Sequence, residues 1–188
     1  MTEILQQDIS AQLQEQVKQA LADKRPLAIR GGGSKGFLGR EPLGEPLELA
    51  DHSGIVNYEP TELVVTVRGG TALGDLEQAL AEKGQMLSFE PPDFGRCASI
   101  GGSVACNLSG PARPYAGAAR DALLGITLLN GKGEILRFGG EVMKNVAGYD
   151  LSRLMAGAMG TLGVLLEVSL KVLPRPEREI TLVQEGME

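Results

Sequence analysis

The stretch PLAIRGGGSKGFLG, residues 26–39, has glycines in G-x-G-x-x-G spacing directly after a short apolar run. In a Rossmann fold this spacing leads a strand into a helix whose N-terminal amides bind a pyrophosphate. Here the next residues are FLGREPLGEPLELA, whose glycines and prolines interrupt every run long enough for such a helix. The sequence therefore disfavours an NAD-dependent Rossmann dehydrogenase.

The glycine turn can still bind an anion on another fold. Three adjacent glycines leave backbone N–H groups unobstructed, and Ser34 and Lys35 add a hydroxyl and an ammonium group. These groups suit a phosphate. An ordinary glycine turn is the alternative, and this segment alone does not decide between the two.

Charge and hydropathy exclude several classes of function. The net charge is -6 and no run of basic residues exceeds two, which argues against a nucleic-acid binder. No apolar run reaches the roughly 20 residues of a membrane span, and MTEILQQDIS is acidic and polar where a signal peptide is basic and then apolar. We therefore expect a cytoplasmic protein with no transmembrane segment.

Metal and hydrolytic chemistry are also disfavoured. Cys97 and Cys106 are too few for an iron–sulfur cluster held by four cysteines, and with His52 as the single histidine a protein zinc site is not expected. His52 lies in the polar stretch ADHSG, which predicts a solvated loop residue and argues against a catalytic triad.

Apolar periodicity and turn residues predict an α/β chain. Ile9, Leu13, Val17 and Leu21 are four apart, which indicates an amphipathic helix with Ser10 as its N-cap. Thr71 is the predicted N-cap of a second helix that Gly84 ends. The predicted helices are at 9–21, at 72–83 and from Ser99 or Ile100. The predicted strands are at 27–30, with 47–50 and 55–58 as strands beside it, and at 62–70 and 165–173, with an antiparallel hairpin of 123–129 and 135–138.

Glycine recurs in three segments: RGGGSK at 30–35, SIGGSVACNLSG at 99–110 and GTLGVLLE at 160–167. The second segment reads as a loop entering a helix, where Gly101 and Gly102 let backbone amides approach a second side of a diphosphate. Two anion-binding segments that are distant in the chain predict an extended dinucleotide ligand.

Longer segments resemble a known family. They are LGDLEQALAEKGQML, PPDFG, SIGGSVACNLSGPARPYAGAARDALLG and FGGEVMKNVAGYDLSRLMAGAMGTLGVLLEVSLKVLP. Over nearly its whole length the chain resembles the FAD-binding domain of the vanillyl-alcohol oxidase / p-cresol methylhydroxylase (PCMH-type) superfamily, and most of all the FAD-binding E subunits of bacterial glycolate oxidases. The resemblance implies an α+β, PCMH-type FAD-binding domain at 1–176. Its two α/β subdomains, about 1–60 and about 61–176, hold FAD between them.

The resemblance also implies which residues contact FAD. They are Arg30, Gly31, Gly32, Gly33, Ser34 and Lys35 at the pyrophosphate; Ser99, Ile100, Gly101 and Gly102 on the pyrophosphate and ribityl side; Pro91, Asn107, Ser109 and Gly110 near the isoalloxazine; Arg120 and Asp121 closing over the cofactor; and Gly163 and Val164 along the adenosine end. Structural alternatives exist for some of them. Pro91 can form a turn, Asn107 can end a helix, and Arg120 with Asp121 can form a surface ion pair.

The chain departs from the family in two respects. Many members bind FAD covalently through a histidine in or just beyond the first glycine loop, where this chain has Ser34 and Lys35, so non-covalent FAD is expected. Residues 177–188 are expected to be the start of a C-terminal cap or substrate domain that is otherwise missing. The chain alone is therefore expected to lack a complete substrate site, and no catalytic residue is assigned.

The resemblance implies the FAD-binding portion of a glycolate oxidase (glycolate dehydrogenase) subunit, supporting oxidation of a small 2-hydroxy acid, glycolate to glyoxylate. Electrons would pass to partners, a second flavin subunit and an iron–sulfur subunit, because two cysteines cannot hold an iron–sulfur relay. Those partners would also place the chain peripherally at the inner membrane. The alternative is a non-catalytic scaffold or assembly subunit with a weak FAD redox role or none.

Overall fold

The computed structural model describes residues 5–95, 97–140, 149–183 and 186, which fold into two β-sheets with surrounding helices. The elements in chain order are α1 (Ser10–Ala22), β1 (Leu27–Arg30), β2 (Glu45–Glu48), β3 (Ile55–Glu59), β4 (Val64–Arg68), α2 (Leu73–Ala81), β5 (Gln85–Leu87), α3 (Ile100–Cys106), α4 (Arg113–Ala116), α5 (Ala119–Ala122), β6 (Leu123–Leu129), β7 (Ile135–Gly139), α6 (Leu151–Met155) and β8 (Val164–Pro174). β1 and β2 form a parallel pair, and the larger sheet has the order β3-β4-β8-β6-β7, with β5 also paired to β8. This is the α+β class that the family resemblance implies.

The larger sheet is antiparallel and is built around β8, which pairs with both β4 and β6. The alternation predicted for β8 is confirmed at most positions, because Leu166, Val168, Leu170 and Val172 are buried and Glu167 and Lys171 are half-exposed. Ser169 is buried as well, and its hydroxyl lies 2.8 Å from the hydroxyl of Thr66. The predicted hairpin of β6 and β7 is antiparallel, as expected.

Two apolar clusters hold the sheets together. The larger one packs α2 and α3 against the larger sheet, with Leu76 of α2 and Ile100 of α3 fully buried. The smaller one joins Leu13 and Val17 of α1 to Leu47 and Leu49 and to residues of β6 and β8. Because the smaller cluster spans both sheets, the loop that follows β1 is held in a fixed position beside the larger sheet.

Three details of the predicted elements are wrong. The segment 55–58 is not a strand beside β1, because β3 pairs with β4 in the larger sheet. Leu21 does not continue the buried stripe of α1 and is 54% exposed. Ser10 does not cap α1 but is its first helical residue, and its N–H donates to Asp8 Oδ1 at 2.9 Å.

Thr71 does not cap α2 either. Its hydroxyl accepts a hydrogen bond from the N–H of Gly54 at 2.9 Å, which ties the turn before β3 to the end of β4. The N-cap position of α2 is Ala72, which makes no side-chain hydrogen bond there. A threonine before a helix can satisfy either its own helix or a neighbouring loop, and the local sequence does not distinguish the two.

The prediction that His52 is a solvated loop residue is wrong, because its side chain is only 1% exposed. Its Nδ1 accepts a hydrogen bond from the N–H of Ile9 at 3.2 Å, which holds the start of α1 against the turn after β2. Burial lowers the pKa of His52, while Asp8, 3.7 Å away, partly opposes this change. The imidazole is therefore a neutral acceptor in the fold.

We expect acid to weaken the fold through His52. The pKa of His52 is lower in the folded chain than its ordinary value of 6.5, so below pH 6.5 the unfolded chain binds more protons. The contribution of His52 to the free energy of unfolding is fully present above pH 6.5. It is lost as the pH falls, by at most about 1.4 kcal/mol per pH unit. Urea titrations at pH 7.5 and 5.5 measure this change. His52→Gln should reduce it, and an identical pH dependence in the variant would contradict the expectation.

Candidate functional site

The first glycine loop leaves the end of β1 as two consecutive turns. The N–H of Gly36 donates to the carbonyl of Gly33 at 3.4 Å, and the N–H of Leu38 donates to that of Lys35 at 3.0 Å. Gly33 has a φ of 72°, which side-chain-bearing residues rarely adopt. Among the described residues, none accepts a hydrogen bond from the N–H groups of Gly32, Gly33 or Ser34. The turn therefore presents a row of free donors.

The loop lies directly against the second glycine-rich segment. A Cβ atom at Gly31 would overlap the hydroxyl of Ser99, and one at Gly32 would overlap the carbonyl oxygen of Cys97. Gly31 and Gly32 are thus required for the close approach of two backbones that are more than 60 residues apart in the chain. The structure brings these two segments together.

The N-terminus of α3 differs from the sequence interpretation in one respect. The N–H groups of Ile100 and Gly101 donate to the carbonyls of Thr71 and Gly69 at 2.9 Å, and that of Gly102 donates to Ser99 Oγ at 3.3 Å. These amides already have protein acceptors. Their glycines instead provide space, because a Cβ at Gly101 would lie 2.7 Å from the Gly69 carbonyl, and one at Gly102 would meet only Ser99 Oγ. Contact between Gly101 or Gly102 and a diphosphate stays a prediction.

Lys35 crosses from the first loop to α3. Its Nζ is 3.1 Å from Ser34 Oγ and 3.4 Å from Ser103 Oγ, and it lies 5.8 Å from the centre of the Phe94 ring. Burial lowers the pKa of Lys35, and the nearby thiol of Cys106 opposes the change. The ammonium group stands where the two glycine-rich segments meet.

These groups form a donor set suited to phosphate. Free backbone N–H groups, the Ser34 hydroxyl and the Lys35 ammonium all belong to one half-exposed turn, and oxygen anions bind to donors of these kinds. The residues therefore fit the diphosphate of a dinucleotide such as FAD. In that case Gly32, Gly33, Ser34 and Lys35 would hold it, beside the start of α3 that Lys35 reaches through Ser103.

Three of the predicted contacts have a structural role. Asn107 Oδ1 accepts from the N–H of Arg120 at 3.0 Å, and Ser109 Oγ accepts from the N–H of Ala119 at 3.1 Å. Asp121 Oδ2 accepts from the N–H of Ala118 at 3.0 Å. Together they satisfy the otherwise free donors at the start of α5. Asn107 also ends α3 with a φ of 50°, as its structural alternative predicts.

The remaining predicted contacts lie in several places. Arg30 is exposed at the end of β1, 3.9 Å from Glu48. Pro91 is buried and lines a cavity of about 390 Å³ with Glu77 and Arg175.

Backbone contacts within the fold determine the positions of Gly110, Gly163 and Val164. The N–H of Gly110 donates to the carbonyl of Phe89 at 2.9 Å. Gly163 precedes β8, where Val164 pairs with Leu129 of β6. The family-like Lys144 and Asn145 fall outside the described residues.

The third glycine-rich segment, with the residue before it, lies against the second segment and against β1, which leads into the first. The N–H of Met159 donates to the carbonyl of Ala105 at 2.9 Å, at the end of α3. A Cβ at Gly160 would lie 3.2 Å from the side chain of Ile29 in β1. The three segments that the sequence singles out therefore surround one part of the molecule.

Comparison with known proteins shows the family to which the chain belongs. The family model described as the FAD binding domain matches residues 5–139, more than two thirds of the chain. The chain belongs to this family. The match confirms the resemblance to PCMH-type FAD-binding domains and makes the loop after β1 part of an FAD-binding domain.

Individual relatives are oxidoreductases. The chain is 58% identical to glycolate oxidase subunit GlcE of Escherichia coli (strain K12) over 95% of its own length and 51% of that protein. It is 36% identical to a D-lactate dehydrogenase of Anaerostipes hadrus (74% of this chain, 29% of the other) and 35% identical to glycolate oxidase subunit GlcD of Bacillus subtilis (strain 168) (84% and 34%). It thus spans about half the length of the first relative and about a third of the others.

Sequence reasoning missed part of this site. The rings of Phe37 and Phe94 are in contact beside Lys35, and Ser103 Oγ accepts a hydrogen bond from the Lys35 ammonium group. None of Phe37, Phe94 and Ser103 is among the predicted contacts. A usable signal was present, because Phe37 follows Ser34 by three residues and Phe94 lies in the family-like stretch PPDFG.

In the described part of the chain, no helix has the length and apolar character to cross a membrane.

Proposed function

We propose that this chain is the FAD-binding portion of a glycolate oxidase subunit that oxidises a small 2-hydroxy acid. The observation that carries the proposal is the 58% identity to the E. coli GlcE subunit, which extends over 95% of the chain and includes all three glycine-rich segments. The matches to GlcD and to D-lactate dehydrogenases support the same substrate class.

In this function the chain binds and orients the cofactor. Gly32, Gly33 and Ser34 would donate backbone hydrogen bonds to the diphosphate, and Lys35 would neutralise part of its charge. FAD supplies the two-electron oxidation chemistry when bound. The packing of the loop after β1 against Ser99 keeps these donors in place before FAD arrives, so binding does not have to order them.

The proposal includes partner subunits. Matches to both GlcE and GlcD support a complex with more than one flavin-binding subunit, and an iron–sulfur subunit would accept electrons because two cysteines cannot hold such a cluster. We place the chain in the cytoplasm, peripheral to the inner membrane through those partners.

Reconstitution tests the proposal. The purified chain is mixed with FAD and desalted, and its visible spectrum is recorded before and after dithionite. We expect about one flavin per chain that bleaches on reduction. Because the chain spans about half the length of its GlcE relative, a version extended to that length is then co-expressed with the second flavin subunit and the iron–sulfur subunit. This should give glycolate-dependent dye reduction, which is lost when the extended chain is omitted. A flavin-free chain whose omission leaves the activity unchanged would contradict the proposal, and a flavin-free chain that the complex still requires would support a scaffold.

We also propose that FAD is held without a covalent bond. Ser34 and Lys35 offer no imidazole in the first loop, and the nitrogen of the buried His52 that faces Ile9 is already engaged. Acid precipitation of the loaded chain should release the flavin into the supernatant. Yellow colour that stays with the pellet, together with a flavin mass adduct on a peptide, would contradict this prediction. Cys97→Ser and Cys106→Ser variants would then identify an attachment through sulfur.

A further inference from the structure

Two aromatic side chains meet at the first glycine loop. The rings of Phe37 and Phe94 have centroids 5.2 Å apart and are inclined at 83°, an edge-to-face arrangement. Phe37 lies in the loop after β1, and Phe94 lies in the loop between β5 and α3. The contact therefore joins the same two parts of the chain that Gly31 and Gly32 bring together.

The two rings differ in how much surface they leave open. Phe94 is 47% exposed, and the ammonium group of Lys35 lies 5.8 Å from its centroid. Phe37 is 66% exposed, so much of its surface is open to solvent, and its edge-to-face contact with Phe94 favours one orientation of the ring. A fixed, open aromatic ring is a binding surface for another flat ring.

The position of Phe37 determines what that ring would belong to. The turn closed by Gly36 and Gly33 folds the chain back on itself and is followed directly by Phe37. In that turn, no acceptor among the described residues pairs with the N–H groups of Gly33 and Ser34. Three residues span at most about 11 Å, so a ring system attached to a phosphate on these donors would be within reach of Phe37. Lys35 lies between the two regions, with Nζ beside Ser34 and over Phe94.

We propose that Phe37 is a stacking residue for a planar heterocycle linked to the phosphates bound by the first glycine loop, with Phe94 orienting its ring. The inference rests on the proposed function, and for FAD the heterocycle is either the adenine or the isoalloxazine. Phe37 contacts the ligand, and Phe94 acts through Phe37 as a positioning residue.

Affinity measurements with matched variants test this proposal. Phe37→Leu keeps an apolar side chain but removes the ring, and Phe37→Trp keeps a stacking surface. The dissociation constant of FAD should rise about 5- to 150-fold in Phe37→Leu, which corresponds to about 1–3 kcal/mol for one stacked ring, and should stay near the wild-type value in Phe37→Trp. Leu43→Ala is the control, because Leu43 is 85% exposed and precedes β2 at the opposite end of the small sheet.

Two smaller probes identify the ring. If Phe37→Leu weakens ADP binding by the same factor as FAD binding, Phe37 stacks on the adenine. If it instead weakens FMN binding by that factor, Phe37 stacks on the isoalloxazine. Equal FAD affinity in wild type and Phe37→Leu would overturn the stacking proposal and leave the FAD-binding function intact. Failure of the wild-type chain to retain FAD would overturn both.

Discussion

Replacing Gly102 with aspartate is expected to abolish FAD binding while the chain remains folded. A Cβ at Gly102 would meet only Ser99 Oγ at 3.1 Å, so this atom fits with a small movement of one hydroxyl. Aspartate is also favourable in the first turn of a helix, where Gly102 is the third residue of α3. The substitution therefore adds a charge to the site with little cost to the fold.

The loss of binding follows from that charge. Two like unit charges about 4 Å apart repel by about 4 kcal/mol at intermediate dielectric, roughly a thousandfold in affinity. The carboxylate would also compete for the ammonium group of Lys35, which lies 3.4 Å from the neighbouring Ser103 hydroxyl. Both effects oppose a diphosphate at the loop after β1.

Two controls separate charge from shape. Gly102→Asn has nearly the same size as aspartate without its charge and should retain most of the affinity. Gly74→Asp adds the same charge in the first turn of α2, where a Cβ meets nothing within 4 Å, and should bind FAD like the wild type. Flavin absorbance after desalting measures binding, and far-UV circular dichroism with urea titration measures the fold. Normal flavin retention in Gly102→Asp would remove α3 from the proposed phosphate site.

The regular elements of this chain were predictable because their patterns are local. The hairpin of β6 and β7 and the alternation of β8 follow from apolar periodicity, and the start of α3 follows from Ser99, whose hydroxyl caps it. Ser10 and Thr71 have the same cap chemistry, and neither caps a helix. Hydrogen-bond partners outside the helix decide such cases. The N–H of Gly54 donates to the Thr71 hydroxyl, and the N–H of Ser10 donates to Asp8.

The candidate site was predictable as three segments but not in its details. Glycine spacing indicates a phosphate turn, yet only the fold reveals that Gly31 and Gly32 face another backbone and that Gly33 faces open space. The predicted exposure of His52 is wrong for a related reason. Its polar neighbours predict exposure, whereas the N-terminal segment covers it and supplies the N–H of Ile9 as its partner. Contacts between distant segments leave no periodic signal in one sequence.

Replacing Gly32 with alanine is expected to weaken FAD binding by at least about a hundredfold and also to destabilise the chain. The added Cβ would overlap the carbonyl oxygen of Cys97, which is backbone and cannot rotate away. The loop after β1 and the segment before α3 must separate until the two atoms reach about 3.3 Å. Displaced donors no longer align with a phosphate, and losing two charge-assisted hydrogen bonds at about 1.5–3 kcal/mol each accounts for this decrease.

Gly36→Ala is the matched control within the same loop. A Cβ there would lie 3.7 Å from the carbonyl oxygen of Gly33, an ordinary contact, so FAD affinity and urea midpoint should stay close to those of the wild type. Gly32→Ala should instead lower both, unlike Gly102→Asp, which is expected to lower affinity alone. FAD binding by Gly32→Ala within twofold of the wild type would mean that the approach of Gly32 to Cys97 does not position the phosphate donors, and that the free N–H groups of the turn act without support from the segment before α3.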